Sequence, residues 1–252
     1  MRTEAGVGRS EDVISGRNAV AEALKSGRPI DSVLVARGNR PGSIGVLIAK
    51  CRDAGVPVKD ADPRKLEAMG GPNHQGIIAI AACKEYATLE DLFVRAAESG
   101  EEPLFIVCDE LEDPHNLGAI VRTAEAVGAH GVIVPKRRSV GLTSTVYKAS
   151  AGAVEYMPVA RVSNMANTIR DLKKAGVWVY GTAADGEVDL YHADLKGPAA
   201  IVIGNEGQGM SRLVAESCDQ LVRIPMKGSI SSLNASAAAS ILLYEAVRQR
   251  NL

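Results

Sequence analysis

The chain has 252 residues, 46% hydrophobic and 23% charged, with 29 Lys and Arg against 30 Asp and Glu. This is enough apolar material for one large domain or two modest ones, and no apolar run approaches the ~20 residues of a membrane-spanning helix. A net charge of −1 rules out a global basic field, so any nucleic-acid surface has to be a local patch.

Met1 to Asp12 is polar and lacks the apolar core of a secretory signal; residues 1–12 are expected to be a disordered tail, and the protein cytoplasmic. Residues 13–82 read as a small α/β module. A helix runs from Gly16 or Asn18 to Lys25, followed by a strand Ser32–Ala36, a helix around Ser43 to Ala54 and a β run at Val56–Val58. A short helix after Pro63, a Gly-rich loop over residues 70–76 and a strand Ile77–Ala81 complete it. Residues 83–102 are charged, with helical spacing around Leu89 to Val94, and are expected to form a partly helical linker.

From residue 103 the pattern alternates strand and helix. Strands are expected at Leu104–Cys108, Gly131–Val134, Val177–Tyr180, Ala199–Ile203 and Gln220–Ile224. Helices are expected at Leu117–Val127, Asn164–Lys174, Ser211–Ser217 and Ser232–Arg248. Continuous apolar strands between helices predict a mostly parallel sheet covered on both faces. Cys51, Cys83, Cys108 and Cys218 form no Cys-x-x-Cys pair and are expected to be buried reduced thiols. His115, His130 and His192 have no metal-ligand spacing, so no catalytic metal is expected.

Three segments place polar residues just after an apolar run and at the mouth of a helix, where an open α/β sheet builds its sites. In Asp113-Pro-His-Asn-Leu-Gly-Ala-Ile-Val-Arg122, Asn116 suits the N-cap of a helix beginning at Leu117; Asn116 could do no more than cap, and Arg122 could be a solvated helix residue. Gly204-Asn-Glu-Gly-Gln-Gly209 can expose main-chain N–H groups to a ligand, or can be a tight strand–helix turn. It lacks the ending of a phosphate loop and the spacing and early position of a dinucleotide fingerprint. Ser229-Ile-Ser-Ser-Leu-Asn-Ala-Ser-Ala-Ala-Ala-Ser240 can present N–H and hydroxyl groups at a helix N-terminus, or can serve as a small-residue packing helix.

In this order and spacing, Asn116–Arg122, Gly204–Met210 and Ile224–Ala238 resemble the three signature motifs of the SpoU family of ribose 2′-O-methyltransferases, in the knotted SPOUT superfamily. Residues 13–82, with His74-Gln-Gly76, resemble that family's L30e-like substrate-binding domain. Residues 140–162 are most similar to the branch that methylates a guanosine ribose in 23S ribosomal RNA. The resemblance implies an α/β protein in which the L30e-like module precedes a trefoil-knotted, mostly parallel methyltransferase domain over residues 103–252. It implies S-adenosyl-L-methionine as cofactor, RNA as partner and a homodimer.

By the same resemblance Gly204, Ile224 and Leu233, with Thr182 a further candidate, match positions that hold the cofactor. Asn116, Arg122, Glu206, Ser232 and Asn234 match the active site. A guanidinium keeps its proton in proteins, so Arg122 is expected to act as a fixed cation on the forming alkoxide or the adjacent phosphate. Glu206 is expected to pin Arg122 or a hydroxyl, with Asn116, Ser232 and Asn234 orienting the ribose and loops. Lys136, Arg137, Arg138, Lys148, Arg161, Arg17, Arg37, Arg40, Lys59 and His74 are candidate RNA contacts. A tRNA ribose methyltransferase would share all three motifs; a non-catalytic ribosome-assembly factor and a dinucleotide dehydrogenase are the readings from other classes.

Overall fold

A computed structural model describes residues 12–38, 42–229 and 232–251. The 1–12 tail, apart from Asp12, and the candidate contact Arg40 lie outside the described residues, as do Ile230 and Ser231 of the third motif. The chain divides into two compact units, residues 12–85 with 142–144, and the rest.

The first unit runs β1 (Val13–Ser15), α1 (Arg17–Lys25), β2 (Ile30–Ala36), α2 (Gly42–Asp53), β3 (Val58–Ala61), α3 (Pro63–Gly70) and β4 (Ile77–Ala81). Its four-stranded sheet has the order β1-β4-β2-β3, with β2 and β3 parallel and the other pairs antiparallel. The two-residue period of a strand sorts the core onto two faces. Val33, Val35, Ile77 and Ala79 pack with α1 and α2 residues such as Val20, Leu47 and Ile48, while Leu34 and Ile78 pack with Leu66 of α3. The third strand falls two to three residues after the expected Val56–Val58. Pro57 lacks an N–H, and its carbonyl instead accepts the Val33 N–H at 2.8 Å.

The second unit begins with α4 (Leu89–Ser99), whose N-terminus is closed by a reciprocal capping box between Thr88 and Asp91. The stretch expected to be a linker thus contributes to the core. Leu92 and Ala96 pack against Phe105, Ile133 and Ala160, because the apolar positions of this charged segment recur at helical spacing.

There follow β5 (Leu104–Cys108), α5 (Pro114–Ala126), β6 (Gly131–Pro135), α6 (Ser144–Ala149), β7 (Val159–Val162) and α7 (Met165–Lys174). The unit ends with β8 (Trp178–Thr182), β9 (Val188–Asp189), β10 (Ala199–Ile203), α8 (Arg212–Ser217), β11 (Gln220–Arg223) and α9 (Ala235–Arg250). The seven strands have the order β7-β6-β5-β10-β8-β11-β9, and every pairing is parallel. β5 and β10 are buried along their whole length.

The first helix of this sheet starts earlier than expected. Asp113 is its N-cap, accepting the His115 N–H at 2.9 Å, and Pro114 occupies the first turn, where its missing N–H costs nothing. Asn116 is therefore not a cap; it lies inside the helix and is 4% exposed. The last helix starts at Ala235 with Asn234 as its cap. Its far end is fixed by Arg250, which donates to the carbonyls of Glu102, Pro103, Leu195 and Gly197.

None of the four cysteines is in a disulfide bond: Cys51 and Cys108 are buried, whereas Cys83 and Cys218 are only half-buried. Burial pushes the Cys108 and Cys218 thiols up to about 12. No helix among the described residues is long and apolar enough to cross a membrane.

Candidate active site

In the second sheet β10 lies between β5 and β8, and the chain leaves β5 towards β6 on one side while β8 and β11 lie on the other. Parallel strands all end at the same edge, so the loops that leave their carboxyl ends gather there and can build a site. The loops after β8, β10 and β11 enclose a cavity of about 540 Å³, within the range of small-molecule and cofactor sites.

Thr182, Gly204, Glu206, Ile224, Ser232 and Leu233 all line this cavity. Thr182 at the end of β8 donates its hydroxyl to the Val202 carbonyl at 2.7 Å, so it ties β8 to β10. The loop after β10 closes on itself, with Asn205 and Gly209 exchanging both main-chain hydrogen bonds at 2.9 and 2.8 Å. A Cβ on Gly204 would stand 2.3 Å from the Gly209 carbonyl carbon and the Met210 nitrogen. Only glycine permits this turn.

At the rim the three motifs meet in a small polar network. Glu206 Oε1 accepts the Asn116 amide at 2.5 Å and the Asn234 amide at 2.6 Å, and Asn234 also donates to Asn116 Oδ1 at 2.9 Å. The side-chain oxygen of Asn234 accepts the Ser236 and Ala237 N–H groups at the start of α9. Each amide is thereby fixed in orientation from two sides.

Glu206 therefore serves Asn116 and Asn234, and it makes no bond to Arg122. Six residues at 100° each turn Arg122 well away from the face of α5 that carries Asn116. Arg122 is exposed, does not line the cavity, and has no hydrogen bond or ion pair among the described residues.

The RNA-contact candidates are spread over both units. Arg138 is 79% exposed and pairs with Glu110 at 3.1 Å; Arg161 stacks over the Tyr86 ring at 4.1 Å. Arg137, Lys148, Arg37 and Lys59 are exposed, Lys136 is half-buried, and Arg17 donates to Ser43 at 2.8 Å. His74 Nδ1 accepts the Gly76 N–H at 3.0 Å, giving the ring a structural role in its loop. Among the described residues no group of three or more His, Cys, Asp or Glu is placed to hold a metal ion.

Sequence reasoning missed Asp109 and Ala183–Asp185. The latter line the cavity and carry no pattern beyond following a strand. The cavity suits a cofactor with adenine and sulfonium groups: its walls combine main-chain groups of glycine-rich turns with the apolar side chains of Ile203, Leu221 and Leu233.

Residues 103–244 match the model of the SpoU rRNA methylase family, and residues 13–87 match that of an RNA 2′-O ribose methyltransferase substrate-binding domain. YacO of Bacillus subtilis, named for the TrmH family of tRNA/rRNA methyltransferases, is 49% identical over 96% of this chain and 98% of its own. A similarly named Staphylococcus aureus protein is 46% identical over 96% and 97%.

Among solved structures, the SpoU methyltransferase AviRb of Streptomyces viridochromogenes, in complex with AdoMet, superposes with a TM-score of 0.61 at 30% identity. That match covers 95% of this chain and 90% of AviRb. The AdoMet-bound rRNA methyltransferase of Sinorhizobium meliloti gives 0.59 at 30% identity, over 95% and 87%. The A. aeolicus TrmH/SpoU tRNA-modifying enzyme gives 0.54 at 32% identity, over 65% of this chain and 84% of its own.

Proposed function

We propose that this chain, which belongs to the SpoU rRNA methylase family and is an S-adenosylmethionine-dependent RNA 2′-O-ribose methyltransferase, methylates a guanosine in 23S ribosomal RNA. The observation that carries the choice of rRNA is the reach of the structural match. It covers 95% of the chain for an rRNA methyltransferase but 65% for a tRNA-modifying relative. The guanosine rests on the similarity of residues 140–162.

In this reading Thr182, Gly204, Ile224 and Leu233 hold the cofactor in the cavity after β10, and the strands and α9 around it form the trefoil knot of the family. The cofactor supplies an electrophilic methyl group on a cationic sulfur. The protein's part is to hold a ribose 2′-hydroxyl in line with it and to ease loss of the hydroxyl proton. The fixed amides of Asn116 and Asn234 orient the ribose, and Glu206 keeps both in place. Ser232, on the cavity wall, contributes a hydroxyl to the same end.

Arg122 stabilises the alkoxide as a fixed cation. Because it lies away from the cavity of its own chain, it serves a second copy in a homodimer, docked through the α9 face that exposes Ile241 and Tyr244. The 13–82 module holds the RNA, helped by Lys136, Arg137, Arg138 and Lys148, and the protein works in the cytoplasm.

Nucleoside mass spectrometry of rRNA and tRNA from cells lacking the chain, with and without a restored copy, tests the assignment. Loss of one 2′-O-methylguanosine from 23S rRNA is expected; loss of a tRNA methyl instead would move the chain to the tRNA branch.

A further inference from the structure

The excursion from β10 to α8 contains Gly204, Gly207 and Gly209, and glycines give a loop little stiffness of its own. Its internal bonds, the Asn205–Gly209 pair and the Asn205 Oδ1 acceptor for Gly207 N–H at 2.9 Å, set its shape. They leave its place relative to the cavity undetermined. Glu206 ties its tip to Asn116 and Asn234, and its base is placed from the end of β5. Asp109 Oδ2 accepts the Ser211 N–H at 2.7 Å, just beyond the loop, and Asn205 Nδ2 donates to the Glu110 carbonyl at 3.0 Å, just inside it. Both feet of the loop therefore stand on two consecutive residues.

The anchor has the marks of a specialised structure. Asp109 is 3% exposed, and a carboxylate withdrawn from water is costly unless hydrogen-bonded. Glu110 has a φ of 54°, the left-handed region that side-chain-bearing residues seldom adopt, and such strain persists where the surroundings enforce it. Its carboxylate is held by Arg138 at 3.1 Å. Asp109 does not line the cavity, so it acts through the loop.

We propose that Asp109 is a positioning residue for methyl transfer: through the Ser211 N–H it fixes the 204–210 loop so that the loop's main-chain groups stand where the cofactor meets them. This rests on the reading of the cavity as the cofactor site.

The test uses the full-length protein and titration with S-adenosylhomocysteine, together with separate KM values for S-adenosylmethionine and RNA, below each variant's melting temperature. Asp109→Ala is expected to raise the Kd and the cofactor KM by roughly ten- to a hundredfold, leaving the RNA KM within about twofold. Asp109→Asn keeps an oxygen acceptor and recovers most of the affinity. Ser211→Pro, at a backbone φ of −61° that suits proline, removes the same bond from the other side and repeats the loss. A lowered melting temperature with unchanged cofactor Kd and KM in Asp109→Ala and Ser211→Pro would overturn the proposal. Ala183→Trp, which fills the cavity, separates the two readings. Unchanged S-adenosylhomocysteine affinity in that variant removes the cavity reading and the proposal with it, whereas lost affinity there with none lost in Asp109→Ala overturns the positioning role alone.

Discussion

Replacing Gly204 by alanine perturbs the cavity wall with a single methyl group. The added Cβ would meet the Gly209 carbonyl carbon and the Met210 nitrogen at 2.3 Å and the Gly209 oxygen at 2.6 Å, all of them backbone atoms with no rotamer to yield. Ordinary contact needs about 3.5 Å, so the returning limb of the loop must retreat by roughly 1 Å. That retreat pulls apart the reciprocal Asn205–Gly209 bonds, at about 1 kcal/mol each, on top of ~1–3 kcal/mol of overpacking. A total of about 3–5 kcal/mol is divided between folding stability and cofactor binding, and a share of about 1.4 kcal/mol already weakens binding tenfold. Calorimetric titration with S-adenosylhomocysteine is expected to show at least that loss, with RNA affinity little changed and the melting temperature lower by a few degrees. Affinity within twofold of the parent at an unchanged melting temperature would refute the argument that the tight turn at Gly204 shapes the site.

Three further outcomes are expected. Glu206→Ala leaves the Asn116 amide, in a 4% exposed residue, without its acceptor; single-turnover methylation is expected to slow by roughly two orders of magnitude, and a rate within threefold of the parent would show that the network is dispensable. Mixing Arg122→Ala with Glu206→Ala subunits under exchange is expected to recover about a quarter of parental activity if Arg122 serves the partner's site, and none if it serves its own. His130, 2% exposed, accepts the Leu104 N–H on Nδ1 at 3.0 Å and contacts Ser99 through Nε2 at 2.9 Å. Burial, with help from Arg250 and Arg95, holds the imidazole below its ordinary value of 6.5, and Glu101 opposes this. The unfolded chain then takes up the proton first, so the contribution of His130 is complete above pH 6.5 and fades as the pH falls through that value to the depressed one. The stability difference between the parent and His130→Asn should narrow between pH 7.5 and pH 5; an unchanged difference would count against a buried neutral histidine.

The alternation of Val33, Leu34 and Val35, and the unbroken apolar runs at β5 and β10, announce which strands are half-covered and which are covered on both faces. Their order is another matter. That β10 lies between β5 and β8 depends on pairings such as Ala199 with Leu104 and with Trp178, far apart in the chain, which no local pattern encodes. β7 carries no clear strand pattern because Arg161 interrupts a short run at the sheet edge, where its guanidinium lies over Tyr86. The start of α5 is ambiguous in the sequence because Asp113 and Asn116 both make good caps, and only Pro114, well suited to a first turn, decides between them. At the site, the motifs pointed to the loops that enclose the cavity, but not to the partner that Glu206 takes. Its bonds to Asn116 and Asn234 exist only once the 204–210 loop, the first turn of α5 and the start of α9 converge. Asp109 gave no signal, since one acidic residue after a strand is an ordinary feature and its role arises from burial beside Ser211.

Purified protein supplied with methyl-labelled S-adenosylmethionine, intact 23S rRNA and bulk tRNA, followed by digestion to nucleosides, tests the central claim most directly. The account predicts label in 2′-O-methylguanosine derived from 23S rRNA, abolished by Asn116→Ala; label on a base, or on tRNA ribose alone, would contradict it.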